Sequence, residues 1–472
     1  MIDTLRILLA MGQYRRNAAL SPEALAALQR RKLESLVAHA RRRSPFFARR
    51  YANVPARGFR LEELPPVTKG EMMANFDDYC SDRRIRRDAL GAFVLDPRNV
   101  GKKYLGHVAV HTSGTGGEPA LIVYDARAFA HVKAVALARG GGPAVTLERL
   151  AGAALGRRGR LAVLVMDGGL FPSYSNFVHL PRLHSLFVGV RVLSVRRPLA
   201  ELVAELQAFQ PEGIIGYPST LEALAHEQRA GRLGILRNRS FGSVVTLSEP
   251  LLSTARDVIG EAFDVPVFDF YATGECMYVA RSCAHGTALH VASDMALLEV
   301  VDASGRPVPP GTFGAKVYLT NLENRVQPFI RYEVSDVVAW EEGSCACGSP
   351  FPRLKAISGR TDDLLLVDGP DGAPATIHPY WLMVPLLGRH EIRDYQVKQV
   401  QRNVLEVSVV GRPGAGAGAG AGIRLREIED ALHASLESSR VGGAVRFNVA
   451  SVDHIPPDPV TGKARRIWSA LA

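Results

Sequence analysis

Cysteine, lysine and long apolar runs are scarce in this 472-residue chain. Five cysteines in so long a chain argue against a disulfide framework. No apolar run approaches the roughly 20 residues that a membrane helix needs, so we expect no membrane span. The first residues lack a long apolar region followed by a small-residue cleavage site, so the sequence predicts a cytoplasmic protein.

Only nine of the 57 basic residues are lysines, and the formal net charge is +10. An arginine-rich surface attracts anions such as nucleotides and coenzyme A, although an ordinary solvated surface accounts for the same charge. No basic run is interleaved with aromatic residues, so we do not expect nucleic acid as a partner. The hydrophobic fraction of 47% and the charged fraction of 22% are typical of a globular enzyme.

The length of the chain predicts two or more domains. Residues 21–50 begin with Ser21-Pro22 and carry leucines at helical spacing, which predicts a helical pair in a mainly helical segment 1–100. From about residue 105, short apolar runs alternate with helical stretches and predict an α/β domain with parallel or mixed sheets. Residues 297–340 indicate a more β-rich subdomain. The apolar runs are 161–166, 213–216, 243–247 and 265–270.

A smaller pattern restarts near residue 360, which predicts domains at 1–359 and 360–472. The second would be a small α+β domain with a β-β-α-β order. Its predicted elements are strands 395–401, 405–410 and 444–449 and helix 425–438. The glycine- and alanine-rich run 414–422 indicates a flexible loop rather than a nucleotide motif.

A glycine- and hydroxyl-rich loop follows a strand-like segment at 104–111. It reads Thr112-Ser113-Gly114-Thr115-Gly116-Gly117. Glycines let the backbone present its N–H groups, and the hydroxyls add donors and acceptors for phosphate oxygens. The Lys-Ser/Thr ending of a Walker loop is absent. By itself this composition also fits a surface turn.

Four further blocks follow in order. They are Tyr271-Ala272-Thr273-Gly274-Glu275, 330–336, 359–363 and Thr461-Gly462-Lys463. In order and spacing the set resembles the adenylate-forming superfamily, in particular the phenylacetate–CoA ligase branch and the related capsule-biosynthesis adenylating proteins. The resemblance runs from about residue 30 to the C-terminus and includes 216–219 and 246–251.

The resemblance implies a large adenylation domain and a mobile C-terminal lid that swings about Asp362. It also implies that ATP, with Mg²⁺, converts a carboxylic acid to an acyl adenylate, and that coenzyme A then takes the acyl group. Alternative acceptors are a carrier-protein thiol, an amine or a hydroxyl. The chain could also form a homodimer.

The same resemblance implies catalytic roles for three residues. Glu275 would hold Mg²⁺, a task suited to carboxylate oxygen. Lys463 would contact the carboxylate and the α-phosphate as charge builds. Arg360 would lie near the ribose, whose hydroxyls Asp336 would bind. The implied ATP-binding set is Thr112, Ser113, Gly114, Thr115, Gly116, Gly117, Ser248, Glu249, Pro250, Asp269, Phe270, Tyr271, Ala272, Thr273, Asp336 and Arg360.

The branch favours an aryl acid of the phenylacetate, benzoate or anthranilate type. The implied acid-contacting residues are Phe177, Tyr217, Pro218, Tyr271 and Gly274. An aromatic-rich stretch at 171–179 is a candidate wall for a flat pocket. Ordinary core packing explains such aromatics as well.

Several positions depart from the family pattern. Gly116 stands where threonine is common and Glu118 where lysine is frequent. Ser248, Ala272 and Ser335 each replace a glycine. All of these departures except Glu118 exchange one small residue for another. We therefore expect them to affect substrate choice and catalytic efficiency more than the type of reaction.

A Cys/His constellation predicts a second, structural site. Cys283, His290, Cys345 and Cys347 form a ligand set that zinc prefers, and zinc-containing relatives resemble it. His285 is the alternative imidazole, and reduced thiols in a turn are the alternative explanation. The other two cysteines, Cys80 and Cys276, are expected to be buried without a special role.

Overall fold

The computed structural model divides the chain into two compact units. The first comprises residues 1–251, 255–334 and 338–356, and the second 252–254, 335–337 and 357–472. Described residues are 2–112, 119–139, 158–167, 169–180, 188–236, 242–251, 253–360, 365–370, 372, 374–377, 381–382, 385–386, 389, 391–412, 424–437, 441, 443–456 and 465–471. Within these ranges, no helix is both long and apolar enough to cross a membrane.

Helices dominate the first hundred residues, as predicted. They are α1 Ile2–Asn17, α2 Pro22–Arg43, α3 Pro45–Arg50, α4 Lys69–Ala74, α5 Phe76–Tyr79 and α6 Arg87–Leu95. Ser21 caps α2, because its Oγ accepts a hydrogen bond from the Ala24 N–H at 3.3 Å, and Pro22 occupies the first helical position. The predicted start of this helix is therefore confirmed.

Strands and helices then alternate through the first unit. The strands are β1 Val108–His111, β2 Leu121–Tyr124, β3 Gly159–Val165, β4 Val188–Ser194, β5 Gly213–Gly216, β6 Ser243–Leu247, β7 Val267–Tyr271, β8 Ala280–Ser282, β9 Leu289–Val291, β10 Ala296–Val301, β11 Lys316–Asn321, β12 Tyr332–Val334, β13 Asp336–Trp340 and β14 Arg353–Arg360. The helices are α7 Ala126–Arg139, α8 Pro172–Val178, α9 Leu199–Phe209, α10 Pro218–Arg229 and α11 Ser253–Phe263.

A nine-stranded sheet organises these elements in the order β13-β14-β9-β8-β7-β6-β5-β3-β4. The five strands β4, β3, β5, β6 and β7 are parallel neighbours in this order, whereas β8 and β9 join antiparallel. Short parallel strands joined by helices are what the alternating apolar runs predict. Two smaller antiparallel sheets, β1-β2 and β10-β11-β12, complete the unit. The predicted α/β class is confirmed.

The second unit is smaller and contains its own sheets. Its elements are β15 Leu365–Asp368, β16 Pro374–Ile377, β17 Ile392–Gln401, β18 Val404–Gly411, α12 Leu425–Glu437, β19 Arg446–Ser451 and β20 Ile467–Ser469. The order β19-β18-β17-β20 places a β-hairpin at the centre of the larger sheet. This arrangement contains the predicted β-β-α-β order and confirms the small α+β character of this part.

One predicted strand is half wrong. Segment 104–111 was expected to be extended throughout, but only Val108–His111 forms a strand. Leu105 (φ 50°) and Gly106 (φ 85°) take left-handed conformations, which make a tight turn between Tyr104 and His107. The strand residues are all buried instead of alternating, because β1 is covered on both faces.

Candidate active site

Three of the predicted site segments follow three adjacent parallel strands. Strand β5 leads into Tyr217-Pro218, β6 into Ser248-Glu249-Pro250 and β7 into residues 271–275. The register aligns the strand ends, with Gly216 opposite Thr246 and Leu247 opposite Phe270. In open parallel sheets, ligands bind at the carboxyl ends of the strands. The structure therefore brings these three predicted segments together at one edge of the sheet.

The β1-β2 hairpin holds both ends of the glycine-rich loop. Loop residues 113–118 lie outside the described residues, but Thr112 and Ala120 flank them. The Thr112 N–H donates to the Ala120 carbonyl at 3.1 Å, and the Ala120 N–H donates to Thr112 Oγ1 at 2.9 Å. The two ends are therefore joined to each other.

Gly274 connects this hairpin to the segment that follows β7. Its carbonyl accepts a hydrogen bond from the Tyr124 hydroxyl at 2.6 Å. A Cβ at Gly274 would lie 2.7 Å from Ile122 Cδ1 and 3.3 Å from Thr112 Cγ2. A side chain at this position would therefore have to displace the ends of the Ile122 and Thr112 side chains. Glycine suits the close packing of the β1-β2 hairpin on the segment that carries Glu275.

A tight turn presents Glu275. The Thr273 N–H donates to the Cys276 carbonyl, and the Cys276 N–H donates to Thr273 Oγ1, both at 3.1 Å. Asn321 Nδ2 donates to the Glu275 carbonyl at 2.8 Å, and Glu275 itself is buried. A carboxylate in a fixed, partly dry position can bind a hard cation such as Mg²⁺.

Glu249 has a partner that sequence reasoning missed. Its carboxylate accepts hydrogen bonds from the Ser219 N–H at 3.1 Å and the Ser219 hydroxyl at 3.0 Å. These groups lie in the first turn of α10, where negative charge is stabilised by free N–H groups. The preceding residue, Ser248, has φ 66°, a left-handed conformation in which glycine is less strained.

Asp269 lies inside the sheet rather than at its edge. Thr246 Oγ1 donates to Asp269 Oδ1 at 2.8 Å, and the Phe270 N–H donates to the same oxygen at 3.0 Å. Burial raises the pKa of Asp269. With these partners, Asp269 orders the ends of β6 and β7, and a direct ATP contact remains a prediction.

The predicted aromatic wall packs on the face of the sheet that leads to this edge. Phe171, Tyr174, Phe177 and Phe270 are partly buried against a cluster that contains Val163 and Tyr217. Tyr217 is buried and its hydroxyl accepts the Met166 N–H at 3.1 Å. These aromatic side chains pack on the core and stay partly exposed, which fits both the candidate wall and ordinary core packing.

A buried lysine lies behind this wall and was not found from the sequence. Lys133 of α7 is 7% exposed, and its Nζ donates to the carbonyl and side-chain oxygens of Asn176 in α8. Its Nζ lies 4.6 Å from the Phe129 ring centroid and 6.0 Å from that of Phe177. Burial lowers the pKa of Lys133 to about 7. Burial, with the charges of Lys133 and Lys103, lowers the pKa of His179 to about 4.

The four predicted zinc ligands converge. Their ligand atoms all lie within 4.8 Å of one another, with Cys283 Sγ 3.6 Å from Cys345 Sγ and Cys347 Sγ 3.5 Å from His290 Nε2. A tetrahedral zinc with Zn–S bonds of about 2.3 Å has sulfur–sulfur edges of roughly 3.8 Å, so the donor set fits this metal. The alternative ligand His285 is exposed and donates its backbone N–H to Cys283.

For the other predicted site residues, the structure describes some only in part and others not at all. Lys463 and Asp362 lie outside it, and of Arg360 only the backbone is described, at the end of β14. Asp336 begins β13. Arg331 is buried and its Nε lies 2.9 Å from Glu299 Oε2.

Comparison with known proteins gives full-length relatives. A phenylacetate–coenzyme A ligase of Thermus thermophilus is 28% identical over 471 residues, covering 94% of this chain and 96% of that protein. A phenylacetate–coenzyme A ligase of Escherichia coli K12 is 26% identical over 402 residues, covering 82% of each. No family model matches the chain. The predicted resemblance to this group of sequences is confirmed.

Solved structures give the fold. A 2-hydroxyisobutyryl-CoA ligase in the post-adenylation state, in complex with R3-HIB-AMP, matches with a TM-score of 0.68 and 21% identity. The match covers 97% of this chain and 92% of that one. The same ligase in an open conformation matches with a TM-score of 0.58. At this identity the similarity establishes the shared fold.

Proposed function

We propose that this chain is an adenylate-forming, ATP-dependent ligase that activates a small carboxylic acid and transfers it to coenzyme A. The observation that carries the proposal is the gathering of three site segments at the carboxyl edge of β5, β6 and β7. The β1-β2 hairpin, here named the phosphate hairpin, packs on Gly274 next to them. These contacts support a site in which the proposed phosphate loop, the Glu275 carboxylate and the aromatic residues of 171–177 would act together.

The reaction has two halves. In the first, a carboxylate oxygen attacks the α-phosphorus of ATP, the bond to the β-phosphate oxygen breaks, and pyrophosphate leaves. In the second, the thiolate of coenzyme A attacks the acyl carbonyl, and AMP leaves with the electron pair of the C–O bond. AMP is a far better leaving group than hydroxide, which is the benefit of an activated intermediate.

The chain's own residues would divide this work. Backbone N–H groups of 112–117 would hold the phosphates, and Glu275 would hold Mg²⁺, which neutralises phosphate charge when bound. Asp336 would bind the ribose hydroxyls with Arg360 nearby. Lys463 would stabilise the charge that builds between carboxylate and α-phosphate. Asp362 would be the hinge of a mobile domain 360–472.

The acid we propose is aromatic. The wall of Phe171, Tyr174 and Phe177, together with Tyr217, supports a flat apolar substrate, because aromatic rings pack on one another in offset or edge-to-face geometry. The relatives named phenylacetate–coenzyme A ligase support the same class. Phenylacetate, benzoate and anthranilate are the acids to try first.

The test is AMP formation from ATP and each acid, with and without coenzyme A. The proposal predicts AMP release that requires an aryl acid and rises when coenzyme A is added, with an acyl-CoA as product. AMP release that ignores coenzyme A would instead support a carrier-protein, amine or hydroxyl acceptor.

Lys463→Ala tests the assigned lysine. The variant should lose about 100-fold or more of the adenylation rate, because a charge aimed at the transition state is removed. Lys398→Ala is the matched control, since Lys398 lies in the same unit with its Nζ 5.3 Å from the Trp468 ring centroid. Equal activity of the Lys463 variant and the wild type would reject the assignment.

We further propose that Cys283, His290, Cys345 and Cys347 hold a structural zinc ion. The distances above support it, and four protein ligands leave no open position for catalysis. Zinc would join the β8-β9 hairpin to the loop before β14. Metal analysis should find one zinc per wild-type chain and none in Cys345→Ser, whereas Cys80→Ser, a buried cysteine outside the cluster, should retain it. Wild-type protein without zinc would contradict this.

A further inference from the structure

The phosphate hairpin has an unusual outer edge. Strand β2 pairs with β1 on one side, and these two strands make a sheet of their own. The backbone groups on its other side are bound by side chains instead of a third strand. Gln327 accepts the Val123 N–H through Oε1 at 2.8 Å and donates from Nε2 to the Leu121 carbonyl at 3.0 Å. This amide therefore replaces the hydrogen bonds of a neighbouring strand.

Two asparagines extend the same arrangement. Asn324 Nδ2 donates to the Val123 carbonyl at 2.9 Å, next to the bonds made by Gln327. Asn321 Nδ2 donates to the Glu275 carbonyl at 2.8 Å. Asn321 Oδ1 in turn accepts the backbone N–H groups of Glu323 and Asn324, at 3.0 and 3.2 Å, which fixes the turn that carries all three amides.

The amide bridge, defined as Asn321, Asn324 and Gln327, thus contacts two predicted ATP-site elements at once. One end binds the strand that leaves the phosphate loop, and the other binds the backbone of the proposed Mg²⁺ ligand. All three residues are at most 1% exposed. Buried amides with fixed partners hold one geometry, because each unpaired backbone group would lose its hydrogen bond without gaining water.

We infer that the amide bridge is a positioning device that sets the phosphate loop relative to Glu275 and thereby the binding of Mg·ATP. The inference rests on the proposed function, because it assigns the bridge to that same site. Phosphate-binding N–H groups and a metal-binding carboxylate act together only at a fixed separation, and small displacements cost large factors in rate. The bridge residues touch neither substrate nor metal in this account.

The bridge can be weakened stepwise. Gln327→Met keeps the length of the side chain and removes both hydrogen bonds to β2, and Asn324→Ala removes one. Gln228→Met is the matched control. Gln228 is also fully buried and makes the same paired bonds, to the Ile235 carbonyl at 2.7 Å and from the Ile235 N–H at 3.0 Å, but at the turn after α10.

The experiment is a calorimetric titration of each full-length variant with Mg·ATP, followed by KM and kcat for every substrate. We expect Gln327→Met to raise the Kd and KM for Mg·ATP about 10-fold and Asn324→Ala by less, with KM for the acid and coenzyme A unchanged. Gln228→Met should lower the unfolding temperature as much as Gln327→Met while keeping the wild-type Kd.

Each contrary result has a separate meaning. Wild-type affinity for Mg·ATP in both bridge variants would overturn the inference and leave the proposed function standing. The same would follow if Gln228→Met weakened Mg·ATP binding equally, because the effect would then be general loss of stability. If the wild-type chain itself bound no Mg·ATP, the proposed function would fail, and the inference with it. If Gln327→Met does not fold, Asn324→Ala decides.

Discussion

The two faces of the large sheet are built by the same strands but are covered differently. One face carries Ala162 and Leu164 of β3 and is packed by helices α9, α10 and α11. The other carries Val163 and Val165 and is packed by the aromatic residues of α8 and Tyr217. Because successive side chains of a strand point to opposite faces, one sequence run serves both.

The two faces differ in which side chains they leave partly exposed. The buried members of the first cluster are aliphatic residues, alanine and Phe263, and among the described residues the one aromatic residue that packs on them partly buried is Phe209. Four partly buried aromatic residues pack on the second cluster, and Lys133 Nζ lies 6.0 Å from the ring centroid of one of them, Phe177. A closed face serves stability, whereas a half-buried aromatic face next to polar strand ends is suited to a ligand. We therefore propose that the first face serves mainly stability and that the second face serves acid recognition.

Leu206→Ala should give the largest change, and in stability alone. Leu206 is fully buried in the aliphatic cluster, so the free energy of unfolding should fall by about 2–5 kcal/mol. Denaturant unfolding measures this, and KM for the acid should not change. Leu199→Ala, on the same helix but 37% exposed, is the control and should lose far less. Equal losses would contradict a closed core on this face.

Phe177→Ala should mainly weaken binding of the acid. Removing a wall residue should raise KM for an aryl acid about 10-fold, or about 1.4 kcal/mol of binding. The control is Phe209→Ala, whose ring lies on the aliphatic side with the Arg191 guanidinium carbon 4.7 Å from its centroid. It should lower stability without changing KM. If both variants shifted KM equally, the two faces would not differ in function.

Lys133→Met should change how stability depends on pH. The pKa of Lys133 is about 7 in the folded chain, below the value of about 10.4 for a free lysine, so the unfolded chain binds a proton that the folded chain releases. Stability should therefore rise with pH between about 7 and 10, by up to about 1.4 kcal/mol per pH unit from this group. In the variant, the free energy of unfolding, measured at several pH values across that window, should change less with pH. An unchanged slope would show that Lys133 stays protonated.

Ser248→Gly should have the smallest effect, at the edge between the two faces. Ser248 adopts φ 66°, where a Cβ is strained, so glycine should raise the free energy of unfolding by about 1 kcal/mol or less. Equilibrium unfolding measures this, with Ser248→Ala as the control, because alanine also lacks the hydroxyl but keeps the strained Cβ. A loss of stability in Ser248→Gly would mean that the serine hydroxyl makes a needed contact.

Local patterns were sufficient for much of the fold. Strands 213–216 and 243–247 were predicted with the bounds they have, because each is a short apolar run between turn residues. Segment 104–111 was partly wrong because its alternation hid a left-handed turn at 105–106. In that case a glycine in the middle of the run was the available signal.

The site was predictable as an ordered set of motifs, but not as a set of contacts. The blocks around Gly274 and Glu249 were found from their order in the chain. Their partners were not, since Tyr124, Ser219 and Gln327 carry no local pattern that marks them. A hydrogen bond between residues 204 positions apart, as in Gln327 and Val123, depends on tertiary packing alone. The Cys/His cluster was easier, because ligand chemistry restricts the residue types.

Acid-dependent exchange of labelled pyrophosphate into ATP tests the central claim most directly, because it detects adenylation without any acceptor. The purified chain, with Mg·ATP and a panel of aryl and aliphatic carboxylic acids, should exchange pyrophosphate with at least one aryl acid. Phe177→Ala should require more of that acid, whereas Leu199→Ala should match the wild type. No exchange with any acid, in protein that binds Mg·ATP, would contradict the account.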